Sequence, residues 1–197
     1  EGLVVIGEGE KDDAPMLFNG EIVGNGNGPR VDIAVDPIDG TSLTAAGRQN
    51  AISVIAVADR GSMLDASTVY KMDKFVTGPA GVGVCDIAKP ISENIRAYAR
   101  AARKPVDEVL VAVLDRDYNS KLVEDIRKAG AATRLLRDGD VAGGIQAARE
   151  SSRIDMCVGI GGSPEAIVTA CGIKALGGLI QGILAPGTDL EKQHGID

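Results

Sequence analysis

Met156-Cys-Val-Gly-Ile-Gly-Gly-Ser-Pro-Glu165 runs from an apolar stretch through paired glycines to a proline and an acid. Such a run reads as a buried strand, a tight loop and the first turn of a helix with Pro164 near its start. Outward from it, the second half of the chain alternates. Strands are predicted over 109–114, 133–136 and 156–160, and helices over 120–129, 141–150 and 161–176. A helix from Ser92, read as its N-cap, to Arg103 precedes them. Strands separated by helices of about ten residues require a parallel or mixed sheet with helices on its faces.

The first half has a different rhythm. Residues 3–6 form a short apolar strand ending in Gly7-Glu-Gly-Glu10, and Lys11-Asp-Asp13 reads as surface charge. Residues 31–35 form a second strand, ending in Asp36-Pro-Ile-Asp-Gly-Thr41, with a turn signal at Gly24-Asn-Gly-Asn-Gly28 before it. Residues 51–58 (AISVIAVA) form a third, apolar on both faces. A fourth is predicted over 67–76, closed by Gly78-Pro-Ala-Gly-Val-Gly83. The change of composition near residue 88 marks a domain boundary, giving domains 1–88 and 89–197. The chain opens without Met and stops in mid-phrase, so it reads as a fragment lacking both ends.

Composition narrows the function. The 197 residues are 44% hydrophobic and 25% charged, the proportions of a globular protein. A single histidine, His194, leaves little room for a Ser-His-Asp or Cys-His pair. Cys85, Cys157 and Cys171 show no CxxC spacing, which argues for reduced thiols and against a zinc site. The 28 Asp and Glu residues leave hard-metal chemistry open. A net charge of −7 with no basic run argues against nucleic acid as a partner. The longest uncharged stretch, residues 175–188, is too short to span a bilayer.

Asp36 and Asp39 leave one strand end together. Two carboxylates so close repel unless a cation lies between them. Thr41 adds a hydroxyl, and the backbone N–H groups that follow Asp39 can face an anion. Glu8, at the end of another strand, gains weight from that company. Gly159-Ile-Gly-Gly-Ser-Pro-Glu165 places a glycine-rich loop at a helix N-terminus, which favours a phosphate. It lacks the lysine of a nucleotide P-loop and the third glycine of a dinucleotide fingerprint.

Taken together, Glu8 in GEGE, the DPIDGT loop, Tyr70-Lys-Met, Asp138-Gly-Asp140 and GIGGSPE resemble class II fructose-1,6-bisphosphatases, in order and spacing, over the whole chain. DPIDGT alone is shared across the lithium-sensitive, metal-dependent phosphatases; GIGGSPE and Asp-Gly-Asp select class II. The resemblance implies a mixed α/β fold layered as an αβαβα sandwich. It implies Mn²⁺ or Mg²⁺, two or more ions, held by Glu8, Asp36, Asp39 and Glu165. Thr41, with Asp36 and Glu8, would be catalytic. The sugar bisphosphate would be bound by Asp39, Gly40, Thr41, Tyr70, Arg116, Asp117, Tyr118, Asp138, Gly139, Asp140 and Gly162.

The implied reaction releases the 1-phosphate of fructose 1,6-bisphosphate, giving fructose 6-phosphate in gluconeogenesis. The implied protein is a cytoplasmic homo-oligomer, a dimer or tetramer, without membrane or nucleic-acid partners. A dual fructose-1,6-/sedoheptulose-1,7-bisphosphatase and a non-catalytic sugar-phosphate-binding relative are the alternatives. One departure stands out: Asp117 and Tyr118 follow Arg116 where the family has Pro-Arg, and that arginine grips the far phosphate. Weaker binding, another sugar bisphosphate, or compensation by a neighbouring basic residue would follow.

Overall fold

In a computed structural model of the chain, residues 1–8, 16–66 and 68–187 are described. Gly9, Glu10, Lys11-Asp-Asp13, Ser67 and His194 lie outside them. Nine strands and five α-helices among the described residues form two sheets and two helical layers. The first sheet holds β1 (Gly2–Ile6), β2 (Ile22–Val23), β3 (Val31–Asp39) and β4 (Ile52–Asp59), in the order β2-β1-β3-β4. The second holds β5 (Lys71–Thr77), β6 (Leu110–Leu114), β7 (Ala132–Leu136), β8 (Met156–Gly162) and β9 (Leu179–Leu184), in the order β7-β6-β8-β5-β9. β6 is parallel to both β7 and β8, while β5 runs antiparallel to β8 and β9. The two sheets therefore divide between β4 and β5, well ahead of residue 88.

The helices are α1 (Thr41–Ala45), α2 (Ile91–Ala101), α3 (Ser120–Lys128), α4 (Val141–Ala148) and α5 (Ser163–Ala175). Helices α4 and α5 lie between the sheets. Val141 and Val168 pack with Ile6 and Ala34 on one side, while Ala147 and Ile173 pack with Val76 and Ala112 on the other. A helix covered from both sides has no use for a polar face, which is why α5 reads apolar all round. Helices α2 and α3 cover the outer face of the second sheet, where Ile95 and Ile126 meet Val111, Val113 and Met156. Four layers result: sheet, helices, sheet, helices.

Alternating sheets and helical layers make the mixed α/β sandwich expected from the sequence, and among the described residues no helix covers the outer face of the first sheet. The outer face of the first sheet exposes Ile55 (67%) and Val57 (56%). β4 thus buries one side only, although its sequence is apolar on both. Helix α2 starts one residue before Ser92, after Pro90, and no side chain caps it. Two strands escaped the sequence reading. β2 has two residues, and β9 lies in a glycine-containing uncharged stretch. Asp155 ties the start of the second sheet together: its carboxylate accepts bonds from Leu110 N (2.8 Å), Lys104 Nζ (2.8 Å) and the Tyr98 hydroxyl (3.2 Å).

Candidate active site

Strand direction gathers the polar residues. β1 and β3 are parallel, as are β6, β7 and β8, and ligands bind outside the carboxyl ends of such strands. Glu8 follows β1, and Asp36 and Asp39 close β3. Arg116 follows β6, Asp138-Gly139-Asp140 follows β7, Gly162 ends β8 and Glu165 follows it. Antiparallel β5 begins where β8 ends, so Tyr70 and Lys71 arrive at the same place.

One cleft of about 540 Å³ is lined by Glu8, Asp36, Asp39, Gly40, Thr41, Tyr70, Arg116, Tyr118, Asp138, Gly139, Asp140, Gly162 and Glu165. Those are the residues singled out from sequence, with one exception. Asp117 starts the 3₁₀ turn Asp117–Asn119, stays exposed and does not line the cleft. Ile38, Lys71, Leu114 and Gly161 complete the lining.

The DPIDGT segment is strand up to Asp39, longer than the sequence suggested. Its register against β4 slips between Asp36 and Asp39, and the Ile38 N–H donates to Asp36 Oδ1 at 2.9 Å. Gly40 then adopts φ 91°, open to glycine at little cost, and turns the chain into α1. Within α1 the Ser42 N–H and hydroxyl donate to Asp138 Oδ2 at 3.0 and 2.7 Å. That N–H is engaged by a carboxylate of the chain itself. Arg116 Nη2 donates to the other oxygen, Asp138 Oδ1, at 2.7 Å. Burial works to raise the Asp138 pKa, but Ser42 and Arg116 outweigh it and hold the carboxyl below its usual value.

Asp39 is the opposite case. It is 5% exposed, and burial together with Asp140, Asp36 and Glu165 pushes its pKa up to about 7 against a single relieving bond from Val141 N–H. The loop 161–162 closes over these acids at short range. A Cβ on Gly161 would strike Asp140, and one on Gly162 would strike Glu165. Buried Lys74, unnoticed in the sequence, pairs with Asp140 and donates to Gly162 O at 3.2 Å. Burial opposes its charge, but Asp140 outweighs that and keeps the ammonium protonated.

The donor set is all oxygen, as a hard divalent cation prefers. Glu165 Oε2 is buried with no hydrogen-bond partner among the described residues, and burial and three neighbouring acids disfavour charge on Asp39. Both are the signatures of carboxylates that a cation would satisfy. As the side chains stand, no three of the described acids, cysteines or histidines converge on one point in ligating geometry. The residues fit a divalent metal in kind.

Comparison with known proteins bears on this cleft. The family described as bacterial fructose-1,6-bisphosphatase, glpX-encoded, matches residues 1–196. The chain belongs to this family. It is 42% identical over 191 residues to fructose-1,6-bisphosphatase 1 class 2 of Escherichia coli K12, covering 97% of this chain and 56% of that protein. The class 2 enzyme of Shigella flexneri matches to the same extent. The chain spans about half the length of these curated relatives.

Proposed function

We propose that the protein carrying this chain hydrolyses the 1-phosphate of fructose 1,6-bisphosphate, yielding fructose 6-phosphate and inorganic phosphate, as a gluconeogenic phosphoric monoester hydrolase. The observation that supports this reading most is the buried acid cluster around Asp39, set in one cleft with Thr41 and the Asp138-Gly139-Asp140 segment. Monoester hydrolysis is among the slowest uncatalysed reactions, so charge neutralisation at the phosphate dominates the requirement.

Glu8, Asp36, Asp39 and Glu165 are assigned to hold Mn²⁺ or Mg²⁺. Such ions, when bound, lower the pKa of water and neutralise phosphate oxygens. Thr41, the first residue of α1, orients the attacking water, with Glu8 and Asp36 lining the same cleft. Asp138, locked by Ser42 and Arg116, presents a fixed edge for sugar hydroxyls together with Gly139, Asp140, Tyr70 and the Gly162 loop. Gly40 and the Asp39 backbone bound the phosphate end.

The proposal includes a cytoplasmic homo-oligomer, dimer or tetramer, acting on a free small molecule. No helix among the described residues is long and apolar enough to cross a membrane. Phosphate release by the intact protein with Mn²⁺ or Mg²⁺ tests the activity, with fructose 1,6-bisphosphate, sedoheptulose 1,7-bisphosphate and inositol 1-phosphate compared side by side. Release from the fructose ester, alone or with the sedoheptulose ester, is the expected result. Release from inositol phosphate only, or from none, overturns the reading.

A further inference from the structure

The cleft is crowded with negative charge. Six carboxylates line it (Glu8, Asp36, Asp39, Asp138, Asp140 and Glu165), against two cations, Arg116 and Lys71. Arg116 is already bound to Asp138, and Lys74 beneath the wall is bound to Asp140. Lys71 has no carboxylate partner among the described residues. Its Nζ rests over the Tyr118 ring, 4.7 Å from the centroid.

The base of that side chain is fixed. Lys71 stands opposite Gly162 in the β5–β8 ladder, its carbonyl accepts the Ala185 N–H at 2.8 Å, and the Tyr70 carbonyl accepts the Ser163 N–H at 3.1 Å. Lys71 is itself exposed, as are Tyr70 (57%) and Tyr118 (45%), so ammonium and both rings stand where a ligand enters. An ammonium on an aromatic face is held by the ring quadrupole yet keeps its donors for an anion.

We propose that Lys71, seated on Tyr118, binds the phosphate that is not hydrolysed, and thereby sets the preference for a sugar bisphosphate over a monophosphate. This rests on the reading of the cleft as a sugar-bisphosphatase site. A bisphosphate brings two dianions into a cleft whose acids repel both. Divalent ions held by Glu8, Asp36, Asp39 and Glu165 would answer one. The other requires a positive group that no carboxylate has neutralised, and Lys71 is the one lining residue of that kind among those described.

Steady-state kinetics of the intact, Mn²⁺-loaded protein tests this with fructose 1,6-bisphosphate and fructose 1-phosphate, which lacks the distal phosphate. For Lys71→Gln, the KM for the bisphosphate should rise about 10-fold or more, the range for losing a charge-assisted hydrogen bond, with kcat within about twofold. The KM for fructose 1-phosphate should not move, and Lys71→Arg should restore the bisphosphate KM. Tyr118→Ala, which removes the ring face under the ammonium, should raise the bisphosphate KM in part. An unchanged bisphosphate KM in Lys71→Gln, or equal rises for both substrates, overturns the assignment while leaving the phosphatase reading intact. A wild-type protein that hydrolyses neither sugar ester overturns that reading, and this assignment with it.

Discussion

Replacing Asp39 by Asn should make the metal-free protein more stable and the enzyme inactive. In the folded chain Asp39 gives up its proton only near 7, against 3.8 for an ordinary aspartate, because it is buried beside Asp140, Asp36 and Glu165. The folded state thus binds more protons than the unfolded one between those values, and stability falls as pH rises through that window. About three pH units at about 1.4 kcal/mol each put the cost of ionised Asp39 at roughly 4 kcal/mol above pH 7. Sharing of charge with its acidic neighbours lowers that to about 2 kcal/mol. Asn keeps the oxygen that accepts the Val141 N–H at 3.1 Å and removes the charge. For a chain of this size 1 kcal/mol moves Tm by about 2–4 °C, so about 2 kcal/mol should make Asp39→Asn melt roughly 4–8 °C higher at pH 8 in chelator. The gap should shrink steadily as pH falls towards 3.8, below which wild-type Asp39 is largely protonated in both states. Adding Mn²⁺ should raise the Tm of wild type more than that of the variant. Circular-dichroism melts at pH 4.5, 6 and 8 provide the measurement. A gap independent of pH, or an Asn variant that melts lower than wild type in chelator at pH 8, refutes the argument.

Thr41→Ala should lower kcat by ~10²–10⁴-fold while Thr41→Ser retains measurable activity, the range for a positioned proton-transfer group; a kcat within threefold of wild type for the alanine variant would assign Thr41 to the turn alone. Asp155→Ala should destabilise the fold by about 3–5 kcal/mol, since it strands Lys104, the Tyr98 hydroxyl and the Leu110 N–H together; urea unfolding with an unchanged midpoint would contradict this. Lys74→Met should cost kcat more than KM, because it leaves Asp140 unpaired behind the Gly161-Gly162 loop. The same variant retaining wild-type kcat would show the pair to be dispensable. Cys157 is buried and its thiol is pushed up to about 12, so it should resist alkylation of the native protein at pH 8 and react only on unfolding.

Much of the architecture is written in local patterns. Alternating strand and helix runs from residue 109 to 176 demand a sheet with helices on its faces, because each element must bury one apolar side. The DPIDGT and GIGGSPE segments are legible as strand ends for the same reason: strands stop where glycine, proline and acids begin. Short-range signals fail where pairing is decided by distant partners. β2 exists only because Glu21 to Val23 lies against β1, and β9 only because β5 offers a free edge. β4, with β-branched residues on both faces, is half-exposed because it is an edge strand with a helical layer on one side alone.

At the site, residue types capable of metal and phosphate chemistry could be read in sequence, since paired acids at strand ends have few other uses. Which of them meet was settled by strand direction: parallel β1 and β3, and parallel β6, β7 and β8, bring their carboxyl ends to one cleft. Asp117 turns away from it although its neighbours on both sides reach in, because the 3₁₀ turn rotates successive side chains to different faces. Lys71 and Lys74 look alike in sequence, three residues apart on one strand. Alternation sends Lys74 inward to Asp140, where burial makes a partner obligatory, and leaves Lys71 outside on Tyr118 with its charge uncommitted. Composition and periodicity determined the elements and the chemistry available to them. The pairing of carboxylate with cation, Arg116 with Asp138 and Lys74 with Asp140, and the acid left without one, depended on contacts between residues distant in sequence, which only the packed chain creates.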